Sequence, residues 1–131
     1  MASRWRGPLA WAVLIEVLLL WPHPPHLPRS WYSFPLFAVI GIDTCVHAFL
    51  FGVLAALLAR ALSAGSRSAG SRPAWTSFAM SALFGAFTEF QQYLIPSRSM
   101  ALGDFLADAT GAALGLAAYT IWAQRRREIS R

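Results

Sequence analysis

The sequence predicts an all-α protein, an integral membrane four-helix bundle, and three observations carry this prediction. Of the 131 residues, 56% are hydrophobic and 13% are charged, whereas soluble domains average roughly 25% charged residues. The mean hydropathy is +0.47. The apolar residues form four runs. Each run has close to the length that a helix needs to cross a bilayer, which is about 20 residues. These runs cover residues 5–21, 42–62, 75–94 and 102–122.

The first apolar run lies between two tryptophans, Trp5 and Trp21, which are suited to anchor a helix at the membrane interface. A basic start followed by an apolar run also resembles a signal peptide. The proline-rich stretch that follows lacks the small residues of a cleavage site. We therefore expect this run to remain in the protein as a membrane helix.

The segments between the runs are interpreted as loops. Residues 22–35 hold five of the eight prolines, which remove backbone donors and interrupt helices, so this segment is expected outside the hydrocarbon. Residues 36–40 are expected to be interfacial or re-entrant. Residues 63–73 contain the pentapeptide SAGSR twice, which predicts a flexible loop, and residues 124–131 form a basic tail.

The arginines predict the orientation of the chain, since all eleven basic residues are arginines. With four spans, nine of them lie on the side of both termini and two on the other side. Arginine-rich loops mark the cytoplasmic side, so a multi-pass protein with cytoplasmic N- and C-termini is predicted. Nucleic acid is not an expected partner because no basic face is interleaved with aromatic residues. One cysteine, Cys45, excludes an internal disulfide.

Ionisable residues cluster in the outward-facing half of the predicted spans. A charged carboxylate at the bilayer centre costs at least ~2.5 kcal/mol, so these side chains are expected to face one another and not lipid. The candidate catalytic cluster consists of Asp43, His47, Glu89 and Asp104. The candidate ligand-binding residues are Gln92, Arg98 and Asp108.

Several of these candidates also have a structural interpretation. Asp43 and His47 are four residues apart on one helix face, so the carboxylate could orient the imidazole for acid–base chemistry, or both could serve packing alone. Glu89 is a candidate acid or proton carrier, or else an ion-pair partner of Arg98. The planar guanidinium of Arg98 suits a phosphate or carboxylate on a ligand, and it could equally neutralise a neighbouring acid.

The fourth run carries a stripe of aspartates and glycines. Asp104, Asp108, Gly111 and Gly115 fall within roughly 60° of arc on a helix. Glycines on such a stripe predict close helix packing through Gly111 and Gly115. Carboxylates and imidazole are suitable ligands for a divalent cation, but no linear metal motif is present. No metal and no cofactor are therefore expected.

Taken together, the chain resembles the VanZ-like family of small bacterial membrane proteins, which is named after an accessory protein of teicoplanin-related glycopeptide-resistance clusters. The resemblance covers about residues 43–119. It rests on Asp43-x3-His47, Glu89-x2-Gln92, Arg98 and Asp104-x3-Asp108-x2-Gly111-x3-Gly115. It implies a single VanZ-like transmembrane domain over residues 1–131, in the bacterial cytoplasmic (inner) membrane. The family usually has lysine where this chain has Thr44, and asparagine where it has Asp108.

Two functions are compatible with this pattern. The first is binding of a cell-envelope or lipid-linked ligand in an outward-facing polar pocket, with an effect on teicoplanin susceptibility as the resemblance implies. The alternative is a membrane enzyme that uses His, Asp and Glu acid–base chemistry on a lipid carrier or cell-wall precursor. A transporter is disfavoured by the small size and the lack of inverted repeats. The expected partners are membrane lipid and a cell-wall precursor or glycopeptide, and the oligomeric state is not defined.

Overall fold

The structure is a computed structural model that describes residues 2–22, 28–65, 72–96 and 102–129. It contains five α-helices: α1 (Arg6–Leu19), α2 (Pro35–Ile40), α3 (Ile42–Ser63), α4 (Arg72–Tyr93) and α5 (Leu102–Ile129). Short 3-10 helices at Ala2–Trp5 and Arg29–Ser33 precede α1 and α2. These described residues contain no β-strand, which confirms the all-α prediction.

One glycine separates α2 from α3. Pro35 starts α2, at a position where its missing N–H removes no helical hydrogen bond. Gly41 then has a φ of 91°, a left-handed value that residues with a Cβ rarely adopt. None of the α2 residues is buried, so this short helix lies on the outside of the bundle. Its depth relative to a membrane stays a prediction.

Helix α3 lies at the centre of the bundle and contacts every other α-helix. It runs antiparallel to α1, since Trp11 donates its Nε1–H to the Leu50 carbonyl oxygen at 2.9 Å, while Gly7 faces Leu57. On this side, α1 and α3 share a core of large side chains. The core consists of Ile15, Leu19, Leu50, Phe51, Leu54 and Leu58, with Phe84 of α4 packed against it.

On its other side, α3 packs against α5 through small residues. A Cβ added at Gly111 would overlap the Ala48 carbonyl oxygen, and one at Gly115 would overlap that of Gly52. The two helices run parallel, because both contacts advance by four residues along each chain. Small residues at this spacing let two helix backbones approach closely, as is common in membrane bundles.

The polarity of the surface and the interior is that of a protein in lipid. Large apolar side chains are exposed, including Phe49 at 64% and Leu83 at 72%. The interior holds polar residues beside its apolar core: His47, Ser77, Ser81, Thr88, Glu89, Gln92 and Asp108. Extended exposed apolar surface marks a site of contact with membrane or partner.

Two of the described helices, α3 and α5, are long and apolar enough to cross a membrane. Helix α1 has 14 residues, fewer than the about 20 that a perpendicular span needs. Helix α4 has 22 residues, but it does not reach the apolar character of a span because polar residues line one face. The membrane-spanning role of α1 and α4, and with it the four-span bundle, stays a prediction.

Candidate functional site

The buried ionisable residues come from three helices at one level of the bundle. His47 lies in the second turn of α3, Asp108 in the second turn of α5, and Glu89 one turn before the end of α4. They meet because α4 runs antiparallel to α3. Glu89, late in α4, lies beside the start of α3, whereas Ser77, early in α4, donates a hydrogen bond to the Ala55 carbonyl oxygen further along α3. Their relative exposures are 1% for His47, 1% for Glu89 and 0% for Asp108.

His47 is hydrogen-bonded to Asp108 across the α3–α5 interface. Its Nδ1 lies 2.9 Å from Asp108 Oδ1, with both side chains buried. Because an ionised carboxylate can only accept a hydrogen bond, Nδ1–H is assigned as the donor. A carboxylate that accepts from Nδ1 fixes the ring orientation and the tautomer, and it leaves Nε2 as the basic nitrogen. The carboxyl group in direct contact with the imidazole is thus that of Asp108, on another helix, whereas the sequence pattern had singled out Asp43.

Glycine makes room for the Asp108 side chain. A Cβ added at Gly85 of α4 would lie 2.8 Å from Asp108 Oδ2, closer than a real Cβ approaches an oxygen. Gly111, one turn after Asp108, allows the close approach of α5 to α3. Asp108 Oδ2 is buried and has no hydrogen-bond partner among the described residues. This oxygen is therefore available to a proton or a cation.

Glu89 adds a second carboxyl group to the pair. One donor atom from each of His47, Glu89 and Asp108 lies within 4.8 Å of the other two. One imidazole nitrogen and two carboxylate oxygens form a donor set that a divalent cation accepts. These residues could therefore hold a metal ion, although the sequence contains no linear metal motif.

Asp43 and Asp104 connect the buried pair to the surface. With His47 they form a second group whose donor atoms lie within 4.8 Å of one another. Asp43 is exposed and Asp104 is half-buried, in the first turns of α3 and α5. Four carboxyl groups therefore surround one imidazole. So much negative charge is costly beside hydrocarbon unless a proton or a cation neutralises it.

The remaining predicted site residues have different surroundings. Gln92 is buried, and its Nε2 donates to the Leu19 carbonyl oxygen at the end of α1 at 3.1 Å. This bond ties α4 to α1 and occupies one of the two amide protons. Arg98 lies outside the described residues. Gly111 and Gly115 face α3, where they contact Ala48 and Gly52.

The partners of Gly111 and Gly115 on α3, and the buried polar face of α4, were not predicted from the sequence. Ala48 and Gly52 repeat the four-residue spacing of Gly111 and Gly115, and this spacing was a visible signal for the matching face. On α4, small and polar residues recur at helical spacing and predict one buried stripe. The stripe consists of Ser77, Ser81, Gly85, Thr88, Glu89 and Gln92.

The fold and the site define a class of protein. Two apolar helices of membrane length, an apolar exterior and an ionisable interior are the features of a helical membrane protein.

The family follows from comparison with known proteins. The chain belongs to the VanZ-like family: the family model described as VanZ/LLP1 matches residues 9–123. The match confirms the predicted resemblance and extends it from residues 43–119 to include most of α1. The searches of curated proteins and of solved structures gave no match.

Proposed function

We propose that the cluster of His47, Glu89 and Asp108 is the functional centre of this VanZ-like membrane protein. Its ligand is the polar head of a lipid-linked cell-envelope molecule, which approaches from the end where Asp43 and Asp104 lie. The observation that carries the proposal is the buried hydrogen bond between His47 Nδ1 and Asp108 Oδ1 at 2.9 Å. A buried ionisable pair inside a membrane bundle is expensive to keep, and such pairs mark functional sites.

The gradient of exposure supports an approach from one end. Exposure falls from Asp43, through the half-buried Asp104, to the fully buried Asp108. The two outer carboxylates can accept hydrogen bonds from hydroxyl, amide or amine groups of a sugar or peptide. A head group bound there would lie next to His47, and its lipid tail would remain in the hydrocarbon around the exposed apolar surface.

The direct test is binding of a polyprenyl-phosphate-linked cell-wall precursor to the protein in lipid nanodiscs. Neutralising the outer carboxylates in Asp43→Asn and Asp104→Asn should weaken binding about tenfold each, the loss expected for one charge-assisted hydrogen bond. The control is Glu128→Gln, which removes an exposed carboxylate at the opposite end of α5. Equal affinity of all variants and the unaltered protein would disprove the proposal.

A second candidate function is acid–base catalysis on the same ligand. It is favoured by the hydrogen bond between His47 Nδ1 and Asp108, which, with Nδ1 as the donor, makes Nε2 the nitrogen that would accept a proton from an attacking water or hydroxyl. Glu89, within 4.8 Å, is positioned to act as the acid. The precursor would be incubated with the purified protein and its mass followed. Turnover that is lost in His47→Gln, with binding retained, would identify an enzyme, whereas no mass change leaves binding as the function.

The cellular counterpart is teicoplanin susceptibility. In a bacterial host expressing the protein, His47→Ala at normal membrane abundance should remove any change in susceptibility that the unaltered protein causes. Asp108→Asn is the more selective variant, because the amide retains a hydrogen-bond acceptor for His47 but no charge. If asparagine supports full activity, the charge of Asp108 is not required. Full activity of both variants would exclude the cluster as the functional centre.

A further inference from the structure

A cavity of about 360 Å³ lies far from the histidine cluster, between the start of the chain and the end of α3. Ser3, Arg4 and Gly7 line one wall, and Leu57, Arg60 and Ala64 line the other. His47 and Arg60 are separated along α3 by about 20 Å at 1.5 Å per residue. The cavity therefore belongs to the opposite end of the bundle and is independent of the proposed site.

The cavity is basic, and its positive charge is not neutralised from within. No acidic residue lines it, and among the described residues Arg4 and Arg60 form no ion pair. Arg4 Nε is buried and donates no hydrogen bond to the part of the chain that the structure describes. Its guanidinium carbon lies 5.9 Å from the Trp5 ring centroid, at the outer limit of a cation–π contact. A buried guanidinium N–H without an acceptor is a costly arrangement that an anion would relieve.

The position of the Arg4 side chain is set by its surroundings. Its guanidinium lies against Gly65, just after α3, where any Cβ would overlap it. The guanidinium thus lies near the wall that Arg60 and Ala64 form. Arg60 also lines the cavity, so two arginines from facing walls could hold the oxygens of one phosphate, which planar guanidinium N–H donors match in geometry.

We propose that this cavity binds the phosphate of an anionic phospholipid head group. The chemistry recognised is a phosphate ester, and two observations favour lipid as its source. The cavity lies at the end of α3, one of the two helices apolar enough to cross a membrane. From the cavity wall, α1 continues with Leu9 and Val13, both 63% exposed and one turn apart, as a surface for an acyl chain. Basic cavities between membrane helices bind phosphate-bearing head groups in this way.

The test uses the full chain in detergent and native mass spectrometry with added phosphatidylglycerol, phosphatidylcholine or inorganic phosphate. Phosphatidylglycerol should remain bound, and phosphatidylcholine, whose choline carries a positive charge, should bind at least about tenfold more weakly. Arg4→Gln and Arg60→Gln should each weaken phosphatidylglycerol binding about tenfold, as expected for a lost charge-assisted contact. Arg125→Gln, at an exposed arginine on α5, is the matched control and should bind as the unaltered protein does.

A second pair of variants covers the case in which a glutamine variant fails to fold. Arg4→Lys keeps the charge and should retain most of the binding, whereas Gly65→Ala displaces the guanidinium with no loss of charge and should reduce binding. Equal binding of phosphatidylglycerol and phosphatidylcholine, or unchanged binding in both Arg4→Gln and Arg60→Gln, would overturn the proposal. Displacement of the lipid by inorganic phosphate at comparable concentration would overturn the lipid source and assign the cavity to a soluble phosphate.

Discussion

Helix α3 packs against α1 through large side chains and against α5 mainly through small residues. The α1 side buries Ile15, Phe51 and Leu54 in one core. The α5 side brings Gly111 and Gly115 against the backbone of α3. Side chains can adjust by changing rotamer, but two backbones in contact cannot. The separation of α3 and α5 is therefore the more strictly fixed distance in the bundle, and the His47–Asp108 hydrogen bond spans it.

The difference between the two interfaces of α3 matters more in a membrane than in water. Apolar side chains lose little by leaving a protein core for lipid tails, so packing and interhelical hydrogen bonds dominate helix association there. The glycine contact should consequently contribute more to stability per residue than the large-residue core. Unfolding of the purified protein in mixed micelles with increasing SDS measures this ranking.

The largest loss is expected for Gly111→Ala. One methyl group would overlap the Ala48 carbonyl oxygen and force α5 away from α3, with an expected loss of about 3 kcal/mol in the free energy of unfolding. The control is Gly103→Ala on the same helix, where an added Cβ has no neighbour within 4 Å. There the better helix propensity of alanine should add up to about 1 kcal/mol. Similar effects at the two positions would show that α3 and α5 do not pack as described.

Phe51→Ala tests the opposite face of α3. The Phe51 ring is 0% exposed and lies 6.0 Å from that of Phe84. We expect a loss of about 2 kcal/mol, below the ~3–5 kcal/mol typical of water-soluble cores. The reason is that the Phe51 ring of the unaltered protein remains in an apolar medium, the micelle, even after unfolding. Phe87→Ala, at an exposed ring on α4, should change stability little. A loss at Phe51 larger than that at Gly111 would reverse the ranking of the two interfaces.

The His47–Asp108 pair is best measured by a double-mutant cycle with His47→Gln and Asp108→Asn. The buried hydrogen bond should give a coupling energy of about 1 kcal/mol, near the values found for polar pairs in membrane bundles. The same cycle with Asp43→Asn should give less than about 0.5 kcal/mol, since Asp43 is exposed to solvent screening. A stronger coupling to Asp43 would restore that residue as the main partner of the imidazole.

The smallest change in the free energy of unfolding is expected at two buried serines on α4. Ser77 donates its hydroxyl to the Ala55 carbonyl oxygen at 2.6 Å, and Ser77→Ala should cost about 0.6 kcal/mol. Ser81 is equally buried, but its hydroxyl has no partner among the described residues. Ser81→Ala should therefore cost nothing or stabilise the protein slightly. Equal losses would mean that Ser81 also makes a hydrogen bond.

Much of the fold was predictable because the apolar runs have about the length of a helix that crosses a bilayer. The spans at 42–62 and 102–122 fall within α3 and α5, where a continuous apolar run and a helix coincide. The glycine stripe of Gly111 and Gly115 likewise followed from helical periodicity alone. Helix α1 is shorter than the predicted span, since it ends at Leu19 before the proline-rich segment.

The partner of His47 was harder to predict than its burial. Periodicity places Asp43 and His47 on one face, but it does not tell how far another helix approaches that face. The approach of α5 depends on Ala48 and Gly52 matching Gly111 and Gly115, and on Gly85 leaving space beside Asp108. Such contacts join residues about 60 positions apart in the chain, and a single sequence specifies them only through the spacing of its small residues.

With α5 as a membrane span, its length also predicts a depth for the site. Its 28 residues measure about 42 Å at 1.5 Å per residue, whereas the hydrocarbon layer is about 30 Å thick. A layer that starts at Leu102 ends near Trp122, an aromatic ring suited to the interface, and the charged last turns extend beyond it. By the same count, Asp108 lies about 9 Å below the starting edge. The pair it forms with His47 would be shielded from bulk ions, and it would lie about 9 Å from the near edge of the layer but about 21 Å from the far edge, so protons and ligands would have their shortest path from the near side.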